Sequence, residues 1–206
     1  MRLKTDAPKH AAVPILGLFA TQVMATVFMN SQVIFLLRSN MTYMSEDQIG
    51  RMTSLTLTWQ LVAQMVASVF AGYGYDRFGR RFMIGLSFIL IVASLVWTPY
   101  TSENITQLCL ARMLLGVGAQ IQLGNPLIND YIHTSSRGVA TVFQNAGWIV
   151  GETFSMAVLF NCTKSMKLTT SFHIAAANIG FFGMILTCLV TNHVSKTLQR
   201  LRSMEA

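Results

Sequence analysis

The sequence predicts an all-α membrane protein of six transmembrane helices, and three observations predict it. Of its 206 residues, 52% are apolar and only 11% are charged, where a soluble domain carries roughly 25% charged residues. The apolar residues fall into six blocks of about 20, the length at which a helix crosses the hydrocarbon core of a bilayer. Most of the charge lies in the short segments between blocks and in the two tails. The spans run over 12–37, 53–74, 82–100, 105–127, 139–161 and 169–192, within a membrane domain 12–193. A polar N-tail, 1–11, precedes it and a tail, 194–206, follows.

The polar stretch Met1 to His10 runs directly into a first span too long for a signal-peptide core, with no small-residue cleavage site. That span is expected to be retained as signal and anchor. Short loops make consecutive helices antiparallel neighbours. Arg2, Lys4, Lys9, Arg77, Arg80, Arg81, Arg137, Lys196, Arg200 and Arg202 then share one side, against Arg38, Arg51, Lys164 and Lys167 on the other. The basic excess puts both termini on the cytoplasmic, or matrix, side. The mitochondrial inner membrane and a plasma or endomembrane both satisfy this.

The net charge of +7 is spread over loops and tails, with no basic stripe interleaved with aromatics, so no nucleic-acid partner is expected. Cys109, Cys162 and Cys188 have neither metal-ligand spacing nor the even count of a disulfide framework, and read as small apolar fillers. The sequons at Asn40, Asn104 and Asn161 all fall in outer loops, but two hug the membrane, which favours chance occurrence. Small residues recur at helical spacing: Ala63, Ala67 and Ala71 in span two, Gly147 and Gly151 in span five, Ala176 and Gly180 in span six. Such stripes let helix backbones approach closely in lipid.

Between spans two and three stands Gly72-Tyr-Gly-Tyr-Asp76-Arg77-Phe-Gly79-Arg80-Arg81. Its glycines permit a tight turn, and Asp76 is placed to cap the incoming helix. Span four contains Arg112-Met-Leu-Leu-Gly116-Val-Gly118, and the next loop Ser136-Arg137-Gly138. The three motifs, in this order, resemble those of the major facilitator superfamily, whose loop between helices two and three reads G-x-x-x-D-[RK]-x-G-[RK]-[RK]. The resemblance covers essentially the whole chain. It implies an N-terminal half of the usual twelve-helix protein, built as two inverted three-helix repeats. Two family patterns are absent. Gly151 is followed by Glu152 where antiporters carry proline, and the sugar-porter signature after helix six is replaced by Ser195-Lys-Thr-Leu-Gln-Arg200. In that tail Val194, Leu198, Leu201 and Met204 recur at helical spacing, as in an interfacial amphipathic helix.

Ionisable groups inside a span are costly and mark candidate functional residues. Arg112 and Glu152 lie at similar depth in consecutive spans, so an intramembrane ion pair is expected, either locking the helices or serving substrate and proton coupling. Polar stripes accompany them: Gln22, Thr26 and Asn30 on span one; Gln60 and Gln64 on span two; Gln120 below Arg112 on span four; Gln144, Trp148 and Ser155 beside Glu152 on span five. The resemblance implies that these helices wall a central cavity; interhelical hydrogen bonding is the other reading. His173 reads as an interfacial residue. No paired carboxylates, nucleophile–base arrangement or metal-ligand cluster appears, so neither an enzyme nor a cofactor is expected.

A single half has a cavity wall but no pathway. The expectation is a non-catalytic accessory subunit of a larger membrane complex, mitochondrial or otherwise, docked on other membrane subunits through the polar face. The alternative is a secondary active transporter of a small organic solute, completed by a homodimer or by a separate second half.

Overall fold

The computed structural model describes residues 10–40, 45–101, 104–161 and 166–190. The N-tail before His10, the 194–206 tail, Cys162 and Lys164 lie outside them. Six long helices carry the described residues: α1 (Ala12–Asn40), α2 (Glu46–Phe78), α3 (Arg80–Trp97), α4 (Ile105–Leu123), α6 (Arg137–Phe154) and α7 (Leu168–Leu189). The short helix α5 (Leu127–Tyr131) lies in the loop after α4. No strand occurs among the described residues.

Local chemistry sets the boundaries. At the start of α2, the Ser45 N–H donates to Gln48 Oε1 at 3.0 Å, and Glu46 and Asp47 meet the positive end of the helix dipole. Asn104 caps α4 by accepting from the Thr106 N–H at 3.0 Å, a structural use for a residue that also heads a sequon. α3 runs into a single 3₁₀ turn, Thr98–Tyr100, around Pro99. α6 continues as a π-helix, Ser155–Phe160. Segments 12–39, 46–78, 80–100 and 168–189 are long and apolar enough to cross a membrane. In α4 and α6 the apolar run is interrupted, by Arg112, Gln120 and Gln122 in one and by Gln144, Asn145 and Glu152 in the other.

The packing obeys an exchange rule. α2 packs on α4 as α6 packs on α1, and α3 packs on α4 as α7 packs on α1. Two further contacts, α1 with α4 and α3 with α7, are their own counterparts. Exchanging α1–α3 for α4, α6 and α7 therefore reproduces the bundle. With three antiparallel helices per repeat the second starts on the opposite side of the membrane, which makes the repeats inverted.

Two layers result. In front stands the row α6–α1–α4–α2, and behind it α7 and α3 close over α1 and α4. The most apolar stretch of α1 is 61% buried and that of α2 only 28%, so α1 is central and α2 forms a flank. Phe28, Phe172, Ile84, Ile91 and Leu95 fill the space between layers, with Phe28 and Phe172 edge to face at 5.4 Å.

Glycines set the close approaches. A Cβ at Gly147 would stand 2.7 Å from the Leu16 carbonyl oxygen, and one at Gly151 would collide with that of Ala20. This is how the span-five stripe joins α6 to α1. Ala63 and Ala71 on α2 and Ala176 on α7 are likewise buried.

Candidate functional site

The motif loop forms one cluster at the end of the bundle. Gly79 sits at φ 89°, ψ 159°, a region essentially reserved for glycine, and ends α2 while starting α3. It is also the N-cap residue of α3, so the expectation that Asp76 caps that helix is corrected. Asp76 remains in the last turn of α2, and its Oδ1 accepts from Arg80 Nη1 at 3.1 Å. Arg80 is the hub. Its Nη1 also donates to the Tyr75 carbonyl at 2.8 Å, and its Nε to Asp130 Oδ2 at 2.9 Å. Tyr75, buried, donates its hydroxyl to the Ile121 carbonyl at 2.6 Å and so ties the end of α2 to α4. Arg77 faces outward and lies over the Tyr73 ring at 5.8 Å.

Asp130, on α5, is the member that sequence reasoning missed. Helices of alternating direction return the loop after α4 to the side that holds the arginines. An acidic residue in that loop was the available signal. The bond joins the two repeats, with Arg80 and Asp130 side chains only 11% and 21% exposed. Charge-assisted bonds of this burial contribute about 1.5–3 kcal/mol. Asp130→Asn is expected to lower the thermal stability of the detergent-solubilised protein correspondingly. A double-mutant cycle with Arg80→Gln should leave a coupling energy of about 1 kcal/mol; additive losses would show that the pair contributes nothing as a pair.

Within the bundle Arg112 is 1% exposed. Its Nη1 donates to Asn30 Oδ1 on α1 at 2.6 Å and to Gln60 Oε1 on α2 at 2.9 Å, and Nη2 approaches the Met29 carbonyl at 3.4 Å. Nε has no partner among the described residues. One side chain thus joins α1, α2 and α4 through neutral acceptors.

The expected Arg112–Glu152 ion pair is not formed. α4 and α6 flank α1 on opposite sides, so consecutive spans are not adjacent here. Glu152 is exposed and accepts instead from Trp148 Nε1 at 2.9 Å, one turn away on its own helix. Trp148 in turn packs against Phe19 of α1 at 6.2 Å.

The other polar residues are distributed over the four front helices. Asn30 is exposed; Thr26, Gln64, Gln120 and Gln144 are half-buried. Gln22 and Ser155 are buried, and Gln22 Oε1 has no partner among the described residues. His173, at the start of α7, pairs with the Tyr100 hydroxyl at 3.2 Å. The two glycines of the span-four motif serve different neighbours. A Cβ at Gly116 would collide with the Gln60 carbonyl of α2, and one at Gly118 would stand 2.9 Å from the Ser87 carbonyl of α3. Gly72, by contrast, has no atom from another helix within 4 Å of where a Cβ would be, among the described residues.

Comparison with solved structures shows the same fold. A D-xylose–proton symporter superposes with a TM-score of 0.70 at 14% identity, over 94% of this chain and 52% of that one. The proton:xylose symporter XylE bound to 6-bromo-6-deoxy-D-glucose gives 0.71 at 16%, over 88% and 44%. The inward-open xylose transporter XylE from E. coli gives 0.64 at 16%, over 88% and 47%. The chain thus spans about half the length of the structures it matches. No curated protein sequence matches it. Residues 18–203 match the sequence profile of the Major Facilitator Superfamily, nearly the full length, and the chain belongs to that family.

Proposed function

We propose that this chain is one six-helix half of a secondary active transporter for a small organic solute. A second six-helix unit packs on its α2 and α6 flanks and closes the pathway. The observation that carries this reading is the polar front layer. Four adjacent helices present Asn30, Gln64, Gln120, Gln144, Trp148 and Glu152 at exposed or half-buried positions, in a chain otherwise dominated by apolar surface. Polar groups facing hydrocarbon would be costly, whereas a water-filled cavity solvates them. In this arrangement Asn30, Trp148 and Glu152 contact solute, Glu152 is the group able to carry a coupled proton, and Arg112 fixes the wall from behind. The arginine-rich loops lie on the cytoplasmic side, in keeping with the positive-inside rule.

An accessory subunit docked in a larger assembly uses the same face differently, and Gly72 separates the roles of fold and partner. The glycine opens the family motif, yet among the described residues no atom of another helix lies within 4 Å of its Cβ position. Gly72→Leu is therefore expected to leave the thermal stability of the isolated chain within about 0.5 kcal/mol of the parent. After gentle detergent extraction it should also abolish co-purification with the second unit. A parent particle of two six-span units supports the transporter; a large assembly of fixed stoichiometry would make this chain an accessory subunit. Unimpaired co-purification of the variant would place the contact elsewhere.

A further inference from the structure

Arg80 and Arg112 are both largely withdrawn from solvent, and the fold answers their charges differently. Arg80, with a side chain 11% exposed, bonds the carboxylates of Asp76 and Asp130. Arg112 is 1% exposed and, among the described residues, bonds no carboxylate. Its acceptors are the side-chain amides of Asn30 and Gln60 and the Met29 carbonyl, all uncharged. Glu152, the acidic residue of the front layer, accepts from Trp148 on its own helix. A charge withdrawn from water is ordinarily paired with an opposite one. Inside a membrane span, an arginine held only by neutral groups points to a ligand that brings the missing charge.

The donors of Arg112 are unevenly used. Nη1 gives both short bonds, to Asn30 Oδ1 at 2.6 Å and to Gln60 Oε1 at 2.9 Å. Nε and Nη2 form the side edge of the guanidinium, a fork that grips a carboxylate through two parallel hydrogen bonds. This edge has one long contact, Nη2 to the Met29 carbonyl at 3.4 Å, and Nε has no partner among the described residues. Asn30 stands at the entrance, because it is exposed on the front face while its Oδ1 holds the guanidinium behind it. Its amide turns aside by a change of rotamer, and its Nδ2 is then free to donate to an arriving oxygen. Resting on the reading of this face as a solute cavity, we infer that the solute carries a carboxylate, received on Arg112 with Asn30 as the movable cover. Gln60 keeps its bond to Nη1, so α2 and α4 stay joined while the solute is bound. One guanidinium matches the single charge of a carboxylate. A phosphate carries nearly two, and Glu152 on the same layer is itself negative, which disfavours a dianion.

The test is thermal unfolding of the full chain, purified in mild detergent with any unit it retains. It is melted in acetate, lactate or benzoate, in the three corresponding amides, and in inorganic phosphate, all at matched ionic strength. At least one carboxylate should raise the unfolding midpoint, by about 3–6 °C at ten times its dissociation constant, where its amide does not. Arg112→Gln should lose the response. Asn30→Asp, which sets a carboxylate beside Nη1 from within the fold, should melt above the parent without ligand and also lose the response. Acids that act no differently from their amides would overturn the inference. So would a response that survives in Asn30→Asp, an Asn30→Asp that melts below the parent, or phosphate acting at lower concentration than every carboxylate. Because binding is read on the purified protein, the result is separable from transport itself. An Arg112-dependent response on a face that water does not reach would keep the carboxylate site and sink the transporter reading. A water-accessible face without the response would sink the inference and leave a transporter of neutral solutes.

Discussion

Gly116→Leu is expected to prevent the bundle from assembling. α4 carries its glycine against the Gln60 carbonyl of α2, and even a methyl group at that position overlaps backbone rather than a movable side chain. A leucine must push α2 away from α4. Gln60 then moves away from Arg112 and removes one of its two short hydrogen bonds. Overpacking in a close-packed interior costs about 1–3 kcal/mol, occasionally more, and here the loss of a charged hydrogen bond adds to it. Fluorescence-detected size exclusion should show an aggregated or unstable variant. Gly138→Leu is the control, since no atom of another element lies within 4 Å of its Cβ position among the described residues, and it should elute as the parent does. A monodisperse Gly116→Leu with parental thermal stability would mean that the α2–α4 approach described here is wrong.

The second large effect concerns Arg112, and the choice of replacement separates its roles. Arg112→Ala removes the guanidinium, leaves Gln60 buried without its donor and opens a void among three helices. The cavity and the unpaired buried amide together cost about 2–5 kcal/mol. Arg112→Met fills most of the volume and removes a buried charge, so only the unpaired Gln60 remains, at about 1–3 kcal/mol. Thermal unfolding in one detergent should therefore rank the parent above Arg112→Met and Arg112→Ala last. Equal losses for the two variants would assign the whole effect to charge; no loss in either would show that Arg112 does not hold the helices together.

These two residues also show where sequence reasoning succeeds and where it stops. The six long helices were legible because hydrocarbon imposes a length and a composition on any helix that crosses it, and four of them are long and apolar enough to do so. Boundaries shifted where side chains rather than hydropathy set them: α2 begins at Glu46, seven residues before its apolar stretch, because Ser45 and Gln48 cap it. The motif loop was legible too, since Gly79 needs a conformation other residues avoid. Pairings across the bundle were not. Arg112 and Glu152 share a depth and occupy consecutive helices, yet the inverted repeat inserts α1 between their helices. Chain order gives direction and depth but not lateral order. For the same reason Asp130 escaped notice, because its partner lies fifty residues upstream in the other repeat. The isolated residues of the stripes, Gln22 among them, became interpretable only once burial separated those behind the wall from those on it.

The central claim is that the α6–α1–α4–α2 face borders a water-filled cavity, and its direct test is chemical access from water. Cysteine replaces Gln64 or Glu152 in a chain whose native Cys109, Cys162 and Cys188 have been changed to alanine, with Ile89→Cys as the membrane-facing control. A charged, membrane-impermeant thiol reagent is then applied to native membranes. Both front-face cysteines should react while Ile89→Cys stays silent. Silence at positions 64 and 152, with a cysteine at the exposed Asp76 in the last turn of α2 reacting normally, would show this face sealed against protein or lipid and would contradict the transporter reading.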